Sequence, residues 1–166
     1  MKKHFKAIIG LTMIVALFIA SFNTVSILAA PKAKQMTSVT KEIRHASPKH
    51  PIIFSHRGSP YDSPEHSFQG YDHAIEAGSD FIEQDLWLSK DNKLYVTHDN
   101  NLKRTTGKNI NVSDSTAQQL DKVKLRNGEH LHQLNNVFKH YGKNVHYIIE
   151  SKKNHGVNLK RTMALT

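Results

Sequence analysis

Four short apolar runs in this chain each lead into a segment rich in charge or imidazole. Residues 51–54 run into His56-Arg57-Gly58, and Asp80-Phe81-Ile82 runs into Glu83-Gln84-Asp85. Further on, residues 93–96 lead to His98-Asp99, and residues 146–149 lead to Glu150-Ser151-Lys152. Runs of this length, rich in β-branched and aromatic residues, are strands. If they are neighbouring parallel strands, two imidazoles, three carboxylates and two cations meet on one rim.

The intervening sequence supplies helices. Phe68, Tyr71 and Ile75 recur at helical spacing within residues 67–78, and Gly78 stands where a C-terminal cap belongs. Ser113-Asp114 is expected to cap a short helix carrying Ala117, Leu120 and Val123. Leu134, Val137, Phe138 and Tyr141 form a clearer stripe, closed by Gly142 and followed by a strand near residues 145–150. Between Asp85 and His98 no strong helix intervenes. Residues 89–92 read as a turn, which makes this part a strand, turn, strand unit. Alternating β and α elements define an α/β fold with a largely parallel sheet and helices outside. A closed (β/α)8 barrel takes about 250 residues. The four strands visible here correspond to an incomplete barrel, about half of one.

The chain has 166 residues and no cysteine. Lys2, Lys3 and Lys6 precede residues 7–30, which carry no charge, and this pattern describes a signal peptide or a retained N-terminal anchor over residues 1–30. The remainder is therefore expected to be secreted or to lie on the extracellular face of the membrane, with residues 7–30 able to associate with it. Residues 31–50 read as a linker, and the ordered domain is expected from 51 to 166. Without the three leader lysines the net charge falls from +9 to +6. No basic stripe is interleaved with aromatics, which argues against a nucleic-acid partner and suits work near anionic polymers or lipids.

Glu83 and Asp85 stand two apart on a strand and so face the same way. Taken alone, the pair also fits a solvated strand end. With Glu150 as a third carboxylate, the set suits a hard divalent cation, which prefers oxygen ligands. His56 and His98 are separated from the other ten histidines by their strand-end company. Arg57 offers a planar donor fork for phosphate oxygens, and two imidazoles flanking a phosphate supply an acid and a base. Lys152 shares the face of Glu150. Asp99 is expected to hold the loop rather than the imidazole, Trp87 to pack against an outer helix, and His66 to lie within reach of the site. His45, His50, His130, His132, His140 and His155 read as surface or packing residues. This is the equipment for metal-assisted cleavage of a phosphate ester.

The ordered motifs across residues 51–153 resemble the glycerophosphodiester phosphodiesterase family. They are His56-Arg57-Gly58, Pro64-Glu65-His66-Ser67, residues 78–85, Val96-Thr97-His98-Asp99, residues 102–107 and Glu150-Ser151-Lys152. The resemblance implies a TIM-type (β/α)8 barrel that hydrolyses glycerophosphodiesters to glycerol 3-phosphate and an alcohol with Ca2+ or Mg2+. It makes His56 and His98 the acid/base pair, Glu83, Asp85 and Glu150 the metal ligands, and Arg57 and Lys152 the phosphate-binding cations. Polymers of glycerol phosphate are a further substrate expectation. The family usually carries Asn-Thr where this chain has His66-Ser67. The sequence stops after its fourth strand, so the other expectation is a truncated, inactive product that retains at most cation binding. A related phospholipase D-like toxin would be expected to carry a disulfide, which a chain without cysteine does not have.

Overall fold

The computed structural model describes residues 38–152. The expected leader or anchor, the start of the linker and the tail after Lys152 lie outside the described residues. Among the described residues no helix is long and apolar enough to cross a membrane. Within the stretch read as linker, α1 (Val39–His45) forms on an N-cap from Ser38 and buries none of its side chains.

The sheet is organised around one strand. β2 (Phe81–Leu88) pairs in parallel with β1 (Phe54–Ser55) at its beginning, Phe54 opposite Phe81. Along its other edge β2 pairs in parallel with β4 (His146–Ser151), from Phe81 opposite His146 to Leu86 opposite Ser151. The third strand, β3 (Leu94–Val96), is antiparallel: Leu86 faces Val96 and Leu88 faces Leu94. A common parallel rim of four strands is therefore corrected to three parallel strands and one hairpin return. The turn explains this, because parallel strands need a crossover of a dozen or more residues. Here Ser89 Oγ accepts from Lys93 N–H at 2.8 Å and donates to Asp91, and Asn92 takes a left-handed φ of 61°. β2 also continues past Asp85, so the acidic pair lies within the strand rather than at its end.

Alternation along the strands separates two faces. Ile82 and Leu86 point outward and pack with Val96, Val145, and Tyr71 of α2 (Phe68–Glu76). Leu134, Val137 and Tyr141 of α5 (Leu134–Tyr141) complete this core. Ser67 caps α2, accepting from Gly70 N–H at 2.9 Å. The inner face carries Phe54, Phe81 and His146 side by side at its base, with ring centroids 5.0 Å apart from strand to strand. Above them on the same face stand Glu83, Asp85 and Glu150, and Lys152 just past β4 reaches Asp85.

The segment between β3 and α5 has a core of its own. Tyr95, Leu102, Val112, Leu120, Val123, Leu125 and Leu131 are buried together beneath α3 (Lys103–Thr106) and α4 (Ala117–Leu120). Ser113-Asp114 does not cap α4 but belongs to a 3-10 turn, Val112–Asp114. The cap is Thr116, whose side chain and backbone form a reciprocal capping box with Gln119.

Gly58 turns the chain from β1 towards α2 with φ +88°, and a Cβ there would lie 2.9 Å from the Gly70 carbonyl carbon. Both the left-handed backbone and this close approach require glycine. Gly58→Ala is expected to lower stability by about 1–3 kcal/mol, measured by urea unfolding. Gly78→Ala, where nothing lies within 4 Å, isolates the cost of the positive φ alone.

Candidate active site

Asp85 is the centre of the rim. It is fully buried, at 0% exposure, yet three cationic or titratable groups converge on it. Lys152 Nζ lies 2.9 Å from Oδ1, and Arg57 Nε and His66 Nε2 each lie 3.2 Å from Oδ2. The register of β2 with β4 sets Glu150 opposite Asp85, and Lys152 Nζ bridges the two, 2.6 Å from Glu150 Oε1. Glu83, two residues before Asp85 on the same face, accepts from Arg57 N–H through Oε2 at 2.9 Å. Its Oε1 is buried with no donor among the described residues.

His66 was expected only to come within reach, but the structure puts it inside the cluster. At 2% exposure its Nε2 faces Asp85 and its Nδ1 meets Tyr71 Oη at 2.8 Å. Tyr71 donates to the Glu83 carbonyl at 3.1 Å. His66, Glu83 and Asp85 each offer one ligand atom, all within 4.8 Å of one another, which is the spacing a single metal ion needs. Glu150 is placed differently. Its side chain is 58% exposed and bonded to Lys152, beside that group rather than in it.

A second tier of ion pairs surrounds the first. Glu65 accepts from Arg57 at 3.2 Å and from both terminal nitrogens of Arg104 at 2.8 Å. Arg104 Nε also donates to Asp99 at 2.6 Å, and Asp99 binds His98 Nδ1 at 2.7 Å. Asp99 therefore does hold the imidazole. The strand expectation fails here because β3 ends at Val96, and His98-Asp99 lies in a loop free of strand alternation. Trp87 packs against the apolar cluster beneath α3 and α4, as expected, and does more. Its Nε1–H donates to the His98 carbonyl at 2.9 Å, so it anchors the same loop. His56 lies exposed just past β1. Away from the site, His132 and His140 each stack on Phe68, with centroids 3.9 and 4.3 Å away, in packing roles as expected.

Neither Glu65 nor Arg104 stood out as a site residue in the sequence, although both fall in quoted motifs. Pairing between residues 39 positions apart leaves no periodic trace.

The electrostatics split the two carboxylates. Burial, with Asp85 close by, pushes the Glu83 carboxyl up to about 7. Burial would also raise Asp85, but hydrogen bonds and charge from His66 and Lys152 outweigh it and hold Asp85 well below the ordinary carboxylate value. For His66, burial outweighs the neighbouring carboxylates and lowers the imidazole below its usual value. Two adjacent acids pushed in opposite directions mark a site lacking positive charge at Glu83 and rich in it at Asp85.

These features define an α/β barrel sheet whose inner face gathers cations and carboxylates around one buried aspartate. A model of the glycerophosphoryl diester phosphodiesterase family matches residues 56–164, and the chain belongs to that family. A glycerophosphodiester phosphodiesterase of Bacillus subtilis is 31% identical over 154 residues, covering 84% of this chain and 51% of that protein. Two solved glycerophosphodiester phosphodiesterases are similar in structure. The one from Agrobacterium tumefaciens has a TM-score of 0.61 and 27% identity, covering 69% of this chain and 52% of that one. The one from Thermotoga maritima has a TM-score of 0.59 and 31% identity, covering 69% and 50%. A phosphodiesterase from Oleispira antarctica, solved with sn-glycerol-3-phosphate, shares the fold at a TM-score of 0.57 and 21% identity. The neighbours are TIM barrels, and the four described strands form an incomplete barrel of that kind. The chain spans about half the length of these relatives.

An acid held above its unfolded value binds its proton more tightly when folded. In metal-free buffer, Glu83 should therefore cost stability as pH rises from about 4.5 through about 7. Glu83→Gln is expected to raise stability by about 1–2 kcal/mol at pH 8 and to change it little at pH 5. Urea unfolding of both proteins at the two pH values checks this.

Proposed function

We propose that this chain carries the site for hydrolysis of glycerophosphodiesters to glycerol 3-phosphate and an alcohol, outside the cytoplasmic membrane. The observation that carries the reading is the pairing of Asp85 and Glu150 across β2 and β4, with Lys152 between them. It gathers carboxylates and cations where the family's strand-end motifs lie. The glycerol 3-phosphate bound in the Oleispira phosphodiesterase supports the product. The exported location rests on the basic start and the uncharged residues 7–30.

Glu83 and Asp85, with Glu150 beside them, fit a hard divalent cation such as Ca2+ or Mg2+. The buried Glu83 Oε1 without a donor is the mark of that fit. Such a cation, when bound, stabilises negative charge on phosphoryl oxygens. The remaining work falls to the chain. Arg57 lies beside Asp85, its backbone held by Glu83 and its guanidinium by Glu65, so its fork is oriented before a phosphate arrives. Lys152 adds a mobile point charge on the other side. Asp99 accepts at His98 Nδ1 and leaves the opposite ring nitrogen to exchange a proton with the substrate. His56, exposed just past β1, is the second proton-exchanging group. One imidazole removes a proton from the attacking hydroxyl or water while the other protonates the departing alkoxide. The sum is diester plus water giving glycerol 3-phosphate and alcohol. The positive charge that remains after the leader suits polymeric glycerol phosphates as well as small diesters.

A second reading, cation binding without turnover, is favoured by one observation. The described residues supply four strands, whereas the barrel architecture uses eight. Incubating the chain with glycerophosphocholine and Ca2+ or Mg2+ separates the two readings. Release of glycerol 3-phosphate that stops on chelation supports hydrolysis, whereas cation binding without release supports the second reading. In an active protein, His56→Ala and His98→Ala are each expected to lower kcat about 100-fold or more. Activity undiminished by either change would remove the proposed acid/base pair.

A further inference from the structure

We infer that His66 is itself a metal ligand, its Nε2 joining a Glu83 oxygen and an Asp85 oxygen in a mixed nitrogen–oxygen site for borderline divalent ions such as cobalt or zinc. The inference rests on the reading that Glu83 and Asp85 hold a divalent cation. It adds a third donor and a consequence for the choice of metal.

The contacts around His66 allow the tautomer that a metal ligand needs. Tyr71 has a single hydroxyl hydrogen, and it goes to the Glu83 carbonyl. His66 Nδ1 lies 2.8 Å from Tyr71 Oη, which can accept an Nδ1–H while its own hydrogen stays on that carbonyl. In that uncharged tautomer Nε2 presents a lone pair. That lone pair faces Asp85 Oδ2 at 3.2 Å, in a place where His66 is 2% and Asp85 0% exposed. With a cation bound, the ring in this tautomer and the carboxylate both supply lone pairs to it; without one, an Nε2–H donates to Asp85 in its place. Neighbouring ligands each about 2.1 Å from one ion lie about 3 Å apart, close to the separation observed.

The third corner is independent of this pair. Glu83 Oε2 is taken by Arg57 N–H, while Oε1 is buried with no donor among the described residues. Glu83 is 8% exposed, and its carboxylate lies within 4.8 Å of the other two donors. The backbone also aims the ring inward. His66 adopts a left-handed φ of 59°, uncommon outside glycine, and its N–H is tied to the Arg57 carbonyl at 3.0 Å. A metal-ligating histidine is usually oriented by a hydrogen bond from its other nitrogen. Here that bond runs through Tyr71 to the very residue that supplies a carboxylate. An imidazole donor favours cobalt or zinc over calcium or magnesium, which oxygen donors alone would suit.

The test uses Co2+ as the probe and the full chain. A cobalt-bound imidazole with a buried Nδ1–H gives a strongly shifted, slowly exchanging proton resonance. That resonance is expected in the wild type and in His56→Ala and should be absent in His66→Asn. Calorimetry should show Co2+ affinity falling about tenfold or more in His66→Asn, with Ca2+ affinity changing less than about threefold. His66→Gln, which keeps the volume and a donor towards Tyr71, repeats the comparison if the asparagine variant does not fold by circular dichroism. Co2+ binding without the shifted proton, or a shifted proton that survives in the folded His66 variant, overturns the inference alone. Co2+ binding that is absent, or unchanged by Glu83→Gln, overturns the cation reading beneath it.

Discussion

A negative charge with no water around it must be answered by the protein, and Asp85 is the charge that this fold is arranged to answer. Its position on the central strand brings Arg57 from the loop after β1, His66 from the start of the α2 turn and Lys152 from the end of β4. Three segments far apart in sequence are thus fixed by one carboxylate. Removing one partner from a buried charge costs far more than an exposed pair ever contributes. The inner rim is consequently held together by Asp85 without a ligand.

The outer ion pairs extend that order rather than duplicate it. Glu65 touches both Arg57 and Arg104, and Arg104 reaches Asp99, which holds His98. The phosphate-binding arginine and an acid/base imidazole are therefore linked through a chain of charge-assisted hydrogen bonds. Arg104 is half exposed, so each contact at that end is weak alone. The geometry gains from the planar, two-pronged match to Glu65. Most of the segment that bears Arg104 would otherwise be an irregular loop. Its separate apolar core, centred on Leu102, Leu120 and Tyr95, is what keeps it in place.

Much of the sheet and both major helices were legible, because residues such as Ile82, Leu86, Tyr71 and Leu134 announce their faces by spacing. The shared face of Glu83 and Asp85 followed from the same alternation. What was not legible lies where periodicity ends. The antiparallel sense of β3 depends on the tight turn at 89–92, and the partnership of His98 with Asp99 depends on the strand stopping at Val96. The centrality of His66 comes from a left-handed backbone that no pattern of apolar residues encodes. The helix at Val39–His45 likewise arises in a stretch whose composition reads as linker.

The pairing of β2 also bears on how the chain is made. Its first edge meets β1 and β3, both nearby in sequence, so that side can close as soon as the hairpin has emerged. The opposite edge waits for β4, which begins roughly sixty residues after β2 ends. During synthesis at the usual pace that interval lasts several seconds. For that time an open strand edge is exposed, and Asp85 lacks the lysine that later neutralises it. Until then Arg57 and His66 alone face Asp85, and the edge stays open to any strand that can pair with it.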